Sequence, residues 1–364
     1  MKQDLLLKKT PKNILIISMR YLGDVLLTTP LIHSLAKAHP NAKISVLVYS
    51  NTTGILEGNP DIDEIISTPQ RPKFADYKTL IKQIFRKFDL SISCQAGDRR
   101  FVYALLSAST RVAFVPQRNE KGWWKRYLVH GWTEAETHSK HTVLELLKLS
   151  TLLQVPSCYA LVPPQSPETQ PSAVEKSLPD KYAVFHIHPQ WKFKRWTTSG
   201  WIEIANYLIS QSITPVFSGS PAKEEIEYIN SIKKHLPANS INIAGKVSLS
   251  ELTKIISQSQ LFIGPDTGIT HLAAATGIPV IALFGPTNPL IWGPWPFNYN
   301  KNIPPFKKVG NQHVNNIYIL QGTDDKNCVP CQEEGCERYR DSHSSCLDNL
   351  SSQQVIKFID SSLK

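Results

Sequence analysis

Hydrophobic positions fall into short unbroken runs, separated by stretches of helical period. KNILIIS (12–18), AKISVLVY (42–49), IDEIIS (62–67), DLSISC (89–94) and RVAFV (111–115) are apolar and rich in β-branched residues. Strands buried on both faces of a parallel sheet read this way. Residues 23–39, YKTLIKQIFRKF (77–88) and HTVLELLKLSTLL (141–153) predict helices, the first opening at the Gly23-Asp24 turn and ending near His39-Pro40. VPPQSPETQPSAVEKSLPD (162–180) has neither period and is rich in Pro, Ser and Gln, as an interdomain linker is. The alternation then resumes. Strands are predicted at 182–188, 213–219, 240–245, 260–264 and 279–285, and helices near 198–210, 222–235, 248–258 and 267–276. SSQQVIKFIDSSL (351–363) predicts a last helix, free to pack across a domain pair.

This pattern predicts an α/β protein with two doubly wound parallel sheets, one over 1–161 and one over 181–345, followed by a tail at 346–364. A chain of 364 residues is long enough for both. Ligands bind such sheets at the C-terminal ends of the strands, so two facing domains are expected to share a cleft. Apolar content of 41% against 19% charged marks a globular chain. The net charge of +10 changes the picture more, because it favours polyanionic partners. No nucleic-acid motif is present, which leaves an anionic membrane face or phosphorylated substrates. No run of about eighteen apolar residues occurs, and near the start only Leu5–Leu7 is apolar. The expected location is therefore the cytoplasm.

Four stretches carry candidate chemistry. In FIGPDTGITHLAAATGIPVIALFGPTNP (262–289) a strand ends at Gly264-Pro265 and a helix begins at Asp266. A helix start offers free N–H groups to a phosphate, and Gly268 admits a ligand close to the backbone. Thr267 and His271, four apart, share a face. The plainer reading is a helix cap worth about 1 kcal/mol and a packed histidine. HPQWKFKRW (188–196) sets Lys192, Lys194 and Arg195 at another strand end, suited to a diphosphate or simply a solvated basic loop. In SMRYLGDVLLTTP (18–30), Asp24 stands where a general base or a helix-start aspartate would. RNEKGWWKRYLVH (118–130) mixes Lys121, Lys125 and Arg126 with Trp123, Trp124 and Tyr127. That mixture suits a membrane interface or an anionic amphiphile, or else a loop with a hydrophobic anchor.

Other signals are weaker. Cys328, Cys331, Cys336 and Cys346 form C-x2-C-x4-C-x9-C, which reads either as a structural zinc site or as reduced thiols on a surface loop. Asp61-x-Asp63 is expected only to cap a strand. No G-x-G-x-x-G follows a strand, and no G-x-S-x-G elbow occurs.

Taken together, ILIISMRYLGDVLLTTPLIHSLAKAHPNAKISVLV (14–48) and FIGPDTGITHLAAATGIPVIALFGPT (262–287) resemble glycosyltransferase family 9, the bacterial lipopolysaccharide heptosyltransferases. WGPWP (292–296) and the tail CVPCQEEGC…CLDNLS are similar to its heptosyltransferase III branch. The resemblance implies a GT-B fold of two Rossmann-like domains facing across a cleft, with acceptor on the first and donor on the second. It implies inverting transfer from ADP-L-glycero-β-D-manno-heptose, with no cofactor and no catalytic metal. Asp24 matches the general base and Lys194 a donor-phosphate lysine. Asp266, Thr267, Gly268 and His271 match the turn around diphosphate and sugar. Glu224, after SGSPAK, stands with Lys223 and Glu225 where a ribose-binding glutamate is expected. His188-Pro189-Gln190 departs from the family's small hydroxyl residues. The implied partners are the nascent lipopolysaccharide core and the anionic inner-membrane surface of a Gram-negative bacterium, with the enzyme held peripherally on the cytoplasmic side and no nucleic acid involved. Three rivals stay open: a transferase of another nucleotide sugar for a different glycan, a noncatalytic nucleotide-sugar binding module, and a zinc-dependent interaction protein.

Overall fold

The structure, a computed structural model, describes residues 9–136, 139–166 and 170–363. The Leu5–Leu7 run and positions 167–169 of the linker lie outside the described residues. The chain divides into two compact units, Met1–Pro164 with Asn300–Ile303, and Gln165–Tyr299 with Pro304–Lys364.

The first unit is a six-stranded, wholly parallel sheet: β1 (Asn13–Ile17), β2 (Lys43–Tyr49), β3 (Glu64–Thr68), β4 (Phe88–Ser93), β5 (Ala108–Val115) and β6 (Gly131–Glu134). Its order, β3-β2-β1-β4-β5-β6, is that of a dinucleotide-type doubly wound sheet, with the switch point between β1 and β4. Ile14 pairs with Ile44 on one side and Leu90 on the other. Ile14 to Ile17 are wholly buried, which is why the run is unbroken rather than alternating. The helices are α1 (Leu22–Leu26), α2 (Thr29–Ala38), α3 (Phe74–Ile84), α4 (Asp98–Ser107) and α5 (Thr142–Leu152). Leu80 and Ile84 of α3 and Tyr103 and Ala104 of α4 cover one sheet face, in a core with Leu15, Ile17 and Leu47.

The second unit repeats the order of the first five strands. Its strands are β7 (Tyr182–His186), β8 (Thr214–Ser218), β9 (Ile241–Asn242), β10 (Leu261–Pro265), β11 (Val280–Phe284), β12 (Gln312–Val314) and β13 (Ile317–Gln321). They run β12-β13-β11-β10-β7-β8-β9, with β12 the antiparallel edge and the switch point between β7 and β10. Around them lie α6 (Ala173–Lys176), α7 (Thr198–Ser210), α8 (Lys223–Lys233), α9 (Leu249–Ser257), α10 (Gly268–Ala274), α11 (Pro289–Trp292), α12 (Ser345–Asp348) and α13 (Ser352–Ser362). Val355 and Ile359 of α13 pack with Trp201 and Leu208 of α7 in this unit's core.

Some expectations shift. The helix expected over 23–39 is two helices, because Pro30 lies in the first turn of α2 and its ring fits a helix start, not an interior. The Thr28 hydroxyl donates to the Asp24 carbonyl (2.9 Å), closing α1 at the joint. α3 begins three residues earlier than its period suggests and stops before Arg86, whose φ of 53° ends the helix. Helix α4 and strands β6, β12 and β13 were not expected. β6 and β12 are four and three residues long, too short to show a period. Within the expected linker, Ser172 caps α6 and Glu175 pairs with Lys254 at 2.8 Å.

Candidate active site

In the second unit, β10 delivers Asp266 to the switch point. A short 3₁₀ turn after β7, Lys192–Lys194, brings Lys194 to it across 72 residues of sequence. The ammonium lies 2.5 Å from the Asp266 carboxylate, which is only 7% exposed. Burial works to raise this carboxyl, but the charge of Lys194, the nearby His271 and a hydrogen bond from Thr287 hold it below the ordinary range. His271, one turn into α10, is buried, and its imidazole is pushed down to about 4 by desolvation. The Asp266 charge opposes that shift and Lys194 adds to it. At neutral pH the site therefore holds one ion pair and a neutral imidazole, whose Nδ1 has no hydrogen-bond partner among the described residues. Two threonines hold the turn: the Thr270 amide donates to Thr267 Oγ1 (3.3 Å), and the Thr270 hydroxyl to the Pro265 carbonyl (2.5 Å).

Next to this pair lies a cluster whose members the sequence named but did not bring together. Arg195 donates to Glu224 Oε1 (2.9 Å), and His188 Nε2 is 3.6 Å from the same oxygen. Glu224 is 76% exposed at its side chain, and the Arg195 hydrogen bond holds its carboxyl low. Its neighbour Glu225 points inward. Burial raises the Glu225 carboxyl, the Ser220 hydroxyl donates to it, and Oε1 has no hydrogen-bond partner among the described residues. A Cβ on Gly219 would come within 2.7 Å of that oxygen, so glycine is what lets α8 close on the end of β8. The adjacent pair Glu224-Glu225 was the available signal, but sequence alone does not say which of the two turns inward. The tryptophans of HPQWKFKRW are spent on structure. Trp196 is buried, donates to the Leu350 carbonyl (2.8 Å) and stands edge-on to Trp201, while Trp191 lies under the Arg340 guanidinium.

In the first unit, Asp24 sits in the first turn of α1, just beyond β1. Arg20 Nε lies 3.3 Å from its carboxylate, which is 11% exposed. Arg100 of α4 donates through Nε to the Met19 carbonyl (3.0 Å). Burial pulls its guanidinium pKa down, and Tyr49, Arg20 and Asp24 lie within electrostatic reach. The acid is thus flanked by two cations at the ligand-binding end of the sheet. The discounted acids are structural: Asp61 bonds His33 (2.8 Å) and Asp63 accepts from the Ile44 amide (2.8 Å).

One expectation fails. Lys125 and Arg126, expected as surface cations, are buried. Lys125 reaches Asp98 (2.5 Å) and the Ala96 carbonyl (3.0 Å), and Arg126 reaches Glu134 (3.1 Å) and the face of Trp132. They tie their turn to α4 and β6, while Trp123 and Trp124 stay exposed. Of the C-terminal cysteines, Cys328, Cys331 and Cys336 lie within electrostatic reach of Cys346. Cys328 donates to Asp324 (3.2 Å), Cys336 accepts from the Ser345 amide (3.3 Å), and Cys346 is buried. The Asp324 hydrogen bond pushes the Cys328 thiol up to about 11, and burial pushes Cys346 up to about 12. Among the described residues, no three His, Cys, Asp or Glu side chains are grouped to hold a metal ion.

The comparisons with known proteins bear on this geometry. Residues 101–318 match the model of glycosyltransferase family 9 (heptosyltransferase). The chain is 31% identical over 297 residues to lipopolysaccharide heptosyltransferase 3 of Escherichia coli, across 77% of this chain and 85% of the relative. A glycosyl transferase family 9 structure from Veillonella parvula superposes with a TM-score of 0.77 at 22% identity, over 97% of each chain. E. coli heptosyltransferase WaaC with ADP superposes with a TM-score of 0.71 at 18% identity, over 96% of this chain and 99% of that one.

Proposed function

The chain belongs to glycosyltransferase family 9, and from that premise we propose that it moves L-glycero-D-manno-heptose from ADP-heptose to the inner core of lipopolysaccharide. The observation that carries this reading is the Lys194–Asp266 pair beside Thr267, Gly268 and His271, at a switch point where doubly wound sheets bind their ligands. In this reading the second unit holds the donor. Lys194 faces the diphosphate, the amides after Thr267 meet its oxygens, and the buried Asp266 keeps the ammonium in place. Glu224 and Glu225 are the two carboxylates available to the ribose hydroxyls. Asp24, on the first unit, takes the proton of the acceptor hydroxyl as that oxygen bonds to the anomeric carbon. The bond from that carbon to the ADP oxygen breaks on the opposite side, so the product is inverted and ADP leaves with the electron pair. No metal enters this scheme.

The match to a lipopolysaccharide heptosyltransferase 3 favours a lipopolysaccharide core as the acceptor. Such an acceptor is lipid-anchored and anionic. The work site we propose is the cytoplasmic face of the inner membrane, with the chain held peripherally. Among the described residues no helix is long and apolar enough to cross a membrane, and the net charge is +10. The test is to mix the protein with ADP-heptose and a panel of truncated cores, measuring ADP release and product mass. One heptose added per ADP released is expected. The absence of both transfer and ADP-heptose binding would overturn the reading.

A further inference from the structure

The crossover from β5 to β6 takes no part in the chemistry above. It leaves β5 at Pro116, forms a 3₁₀ turn at Trp123–Leu128 and enters β6 at Gly131. Along the way it lays an apolar stripe over α4. Trp124 stands edge-on to Phe101 of α4 at 6.5 Å, and Trp123 edge-on to Tyr127 at 5.9 Å. Both tryptophans, Tyr127, Leu128 and Val102 of α4 are 41–69% exposed. Contiguous apolar surface of this kind marks a docking face more often than a bare surface.

At the end of the stripe an open cavity of about 600 Å³ is lined by Leu105, Arg111, Tyr127, Leu128, Val129 and His130. It lies near the starts of β5 and β6, the opposite end of the sheet from Asp24. The Arg111 guanidinium donates to the Ala108 (3.0 Å) and Leu128 (3.4 Å) carbonyls and pairs with no carboxylate among the described residues. Its charge is therefore uncompensated, set against an apolar wall. Residues 98–130 contain seven Lys and Arg against two Asp and Glu. With Lys125 and Arg126 buried in ion pairs, the exposed cations there are Arg99, Arg118 and Lys121.

We propose that this stripe docks on a bilayer carrying anionic phospholipid, with one lipid phosphate on Arg111 and the upper part of its chains against Leu105, Tyr127 and Leu128. The argument is charge complementarity combined with amphipathic aromatics, the side chains that settle at the headgroup level. It rests on the proposed membrane-borne acceptor only for its purpose, not for its geometry.

The experiment is vesicle flotation, with phosphatidylcholine alone and with phosphatidylcholine containing phosphatidylglycerol. The full chain is expected to float with the anionic vesicles and to be released by high salt. Tyr127→Ser with Leu128→Ser should weaken that binding roughly tenfold, because two apolar contacts are lost. Arg118→Glu with Lys121→Glu, both on the surface and so harmless to folding, should weaken it by at least about tenfold on anionic vesicles and leave neutral ones unchanged. Wild-type flotation by either double variant would overturn the proposal, as would a chain that ignores both vesicles or is captured equally by both. A parallel assay with ADP-heptose and a deacylated, soluble core keeps the two ideas apart. Transfer without flotation removes the docking face alone, and flotation without transfer leaves it standing while the transfer reading falls.

Discussion

Asp24 and Asp266 stand at the switch points of two sheets that share the order of their first five strands, yet their surroundings differ in kind. Asp24 faces Arg20, whose side chain is 40% exposed, at 3.3 Å. Asp266 is clamped at 2.5 Å by a lysine 22% exposed, beside a buried neutral histidine. A carboxylate paired with a solvated cation exchanges that partner at little cost, since such pairs are worth about 0–1 kcal/mol. A buried pair behaves as a fixed charge, because removing one partner strands the other at a cost of about 3–5 kcal/mol. One topology thus sets one acid beside a part-exposed arginine and the other against a lysine and a buried histidine.

The largest effect that would break this contrast is on turnover. Asp24→Asn keeps the shape and removes the base, so transfer should fall by about 10²–10⁴-fold while ADP affinity, read by calorimetry, stays put. Retained turnover would return Asp24 to the status of a helix-start residue. Next, Lys194→Ala should lower unfolding free energy by about 3–5 kcal/mol and raise the donor KM, whereas Arg20→Ala should cost less than about 1 kcal/mol. Equal losses in denaturant melts would erase the distinction between the two acids.

A pH series sharpens the same comparison. Burial holds His271 and His186 at about 4, against 6.5 for a free imidazole. Between those values the unfolded chain binds protons that the folded chain does not, so stability falls as pH drops from 6.5 toward 4. Each histidine contributes at most about 3 kcal/mol to that loss. His271→Gln should flatten the urea-midpoint profile in this window, and an unchanged slope would mean the imidazole is protonated in the fold. The smallest effect is expected at Glu224→Ala, whose exposed, solvent-screened pair with Arg195 should leave the melt close to that of the unaltered chain. Glu225→Ala, at the buried neighbour, makes the informative control in the same melt.

Legibility in the sequence followed the strength of the local pattern, not length alone: the ten-residue α4 and the five-residue β13 were missed. The buried strands β1, β2, β7, β10 and β11 were plain as unbroken apolar runs, and α7 by its helical period. The acidic turn after β10 was plain too, since Pro265, Asp266 and Gly268 are adjacent and their turn chemistry is local. Lys125 and Arg126 misled for the opposite reason. Basic residues among exposed aromatics look solvated until Asp98 and Glu134, distant in sequence, are brought to them. Arg195 with Glu224, and the inward turn of Glu225, were hidden in the same way.

By itself, then, the sequence determined two α/β units of doubly wound type, where each sheet ends in polar turns, and which residue types wait there. These follow from periodicity and turn preference, which act between near neighbours along the chain. The tertiary structure alone decided which cation stands on each acid, which lysine is buried, and which arginine borders an apolar cavity with no carboxylate partner among the described residues. Burial and ion pairing depend on what lies within a few ångströms in space, and for Lys194 and Asp266 that partner is 72 residues away.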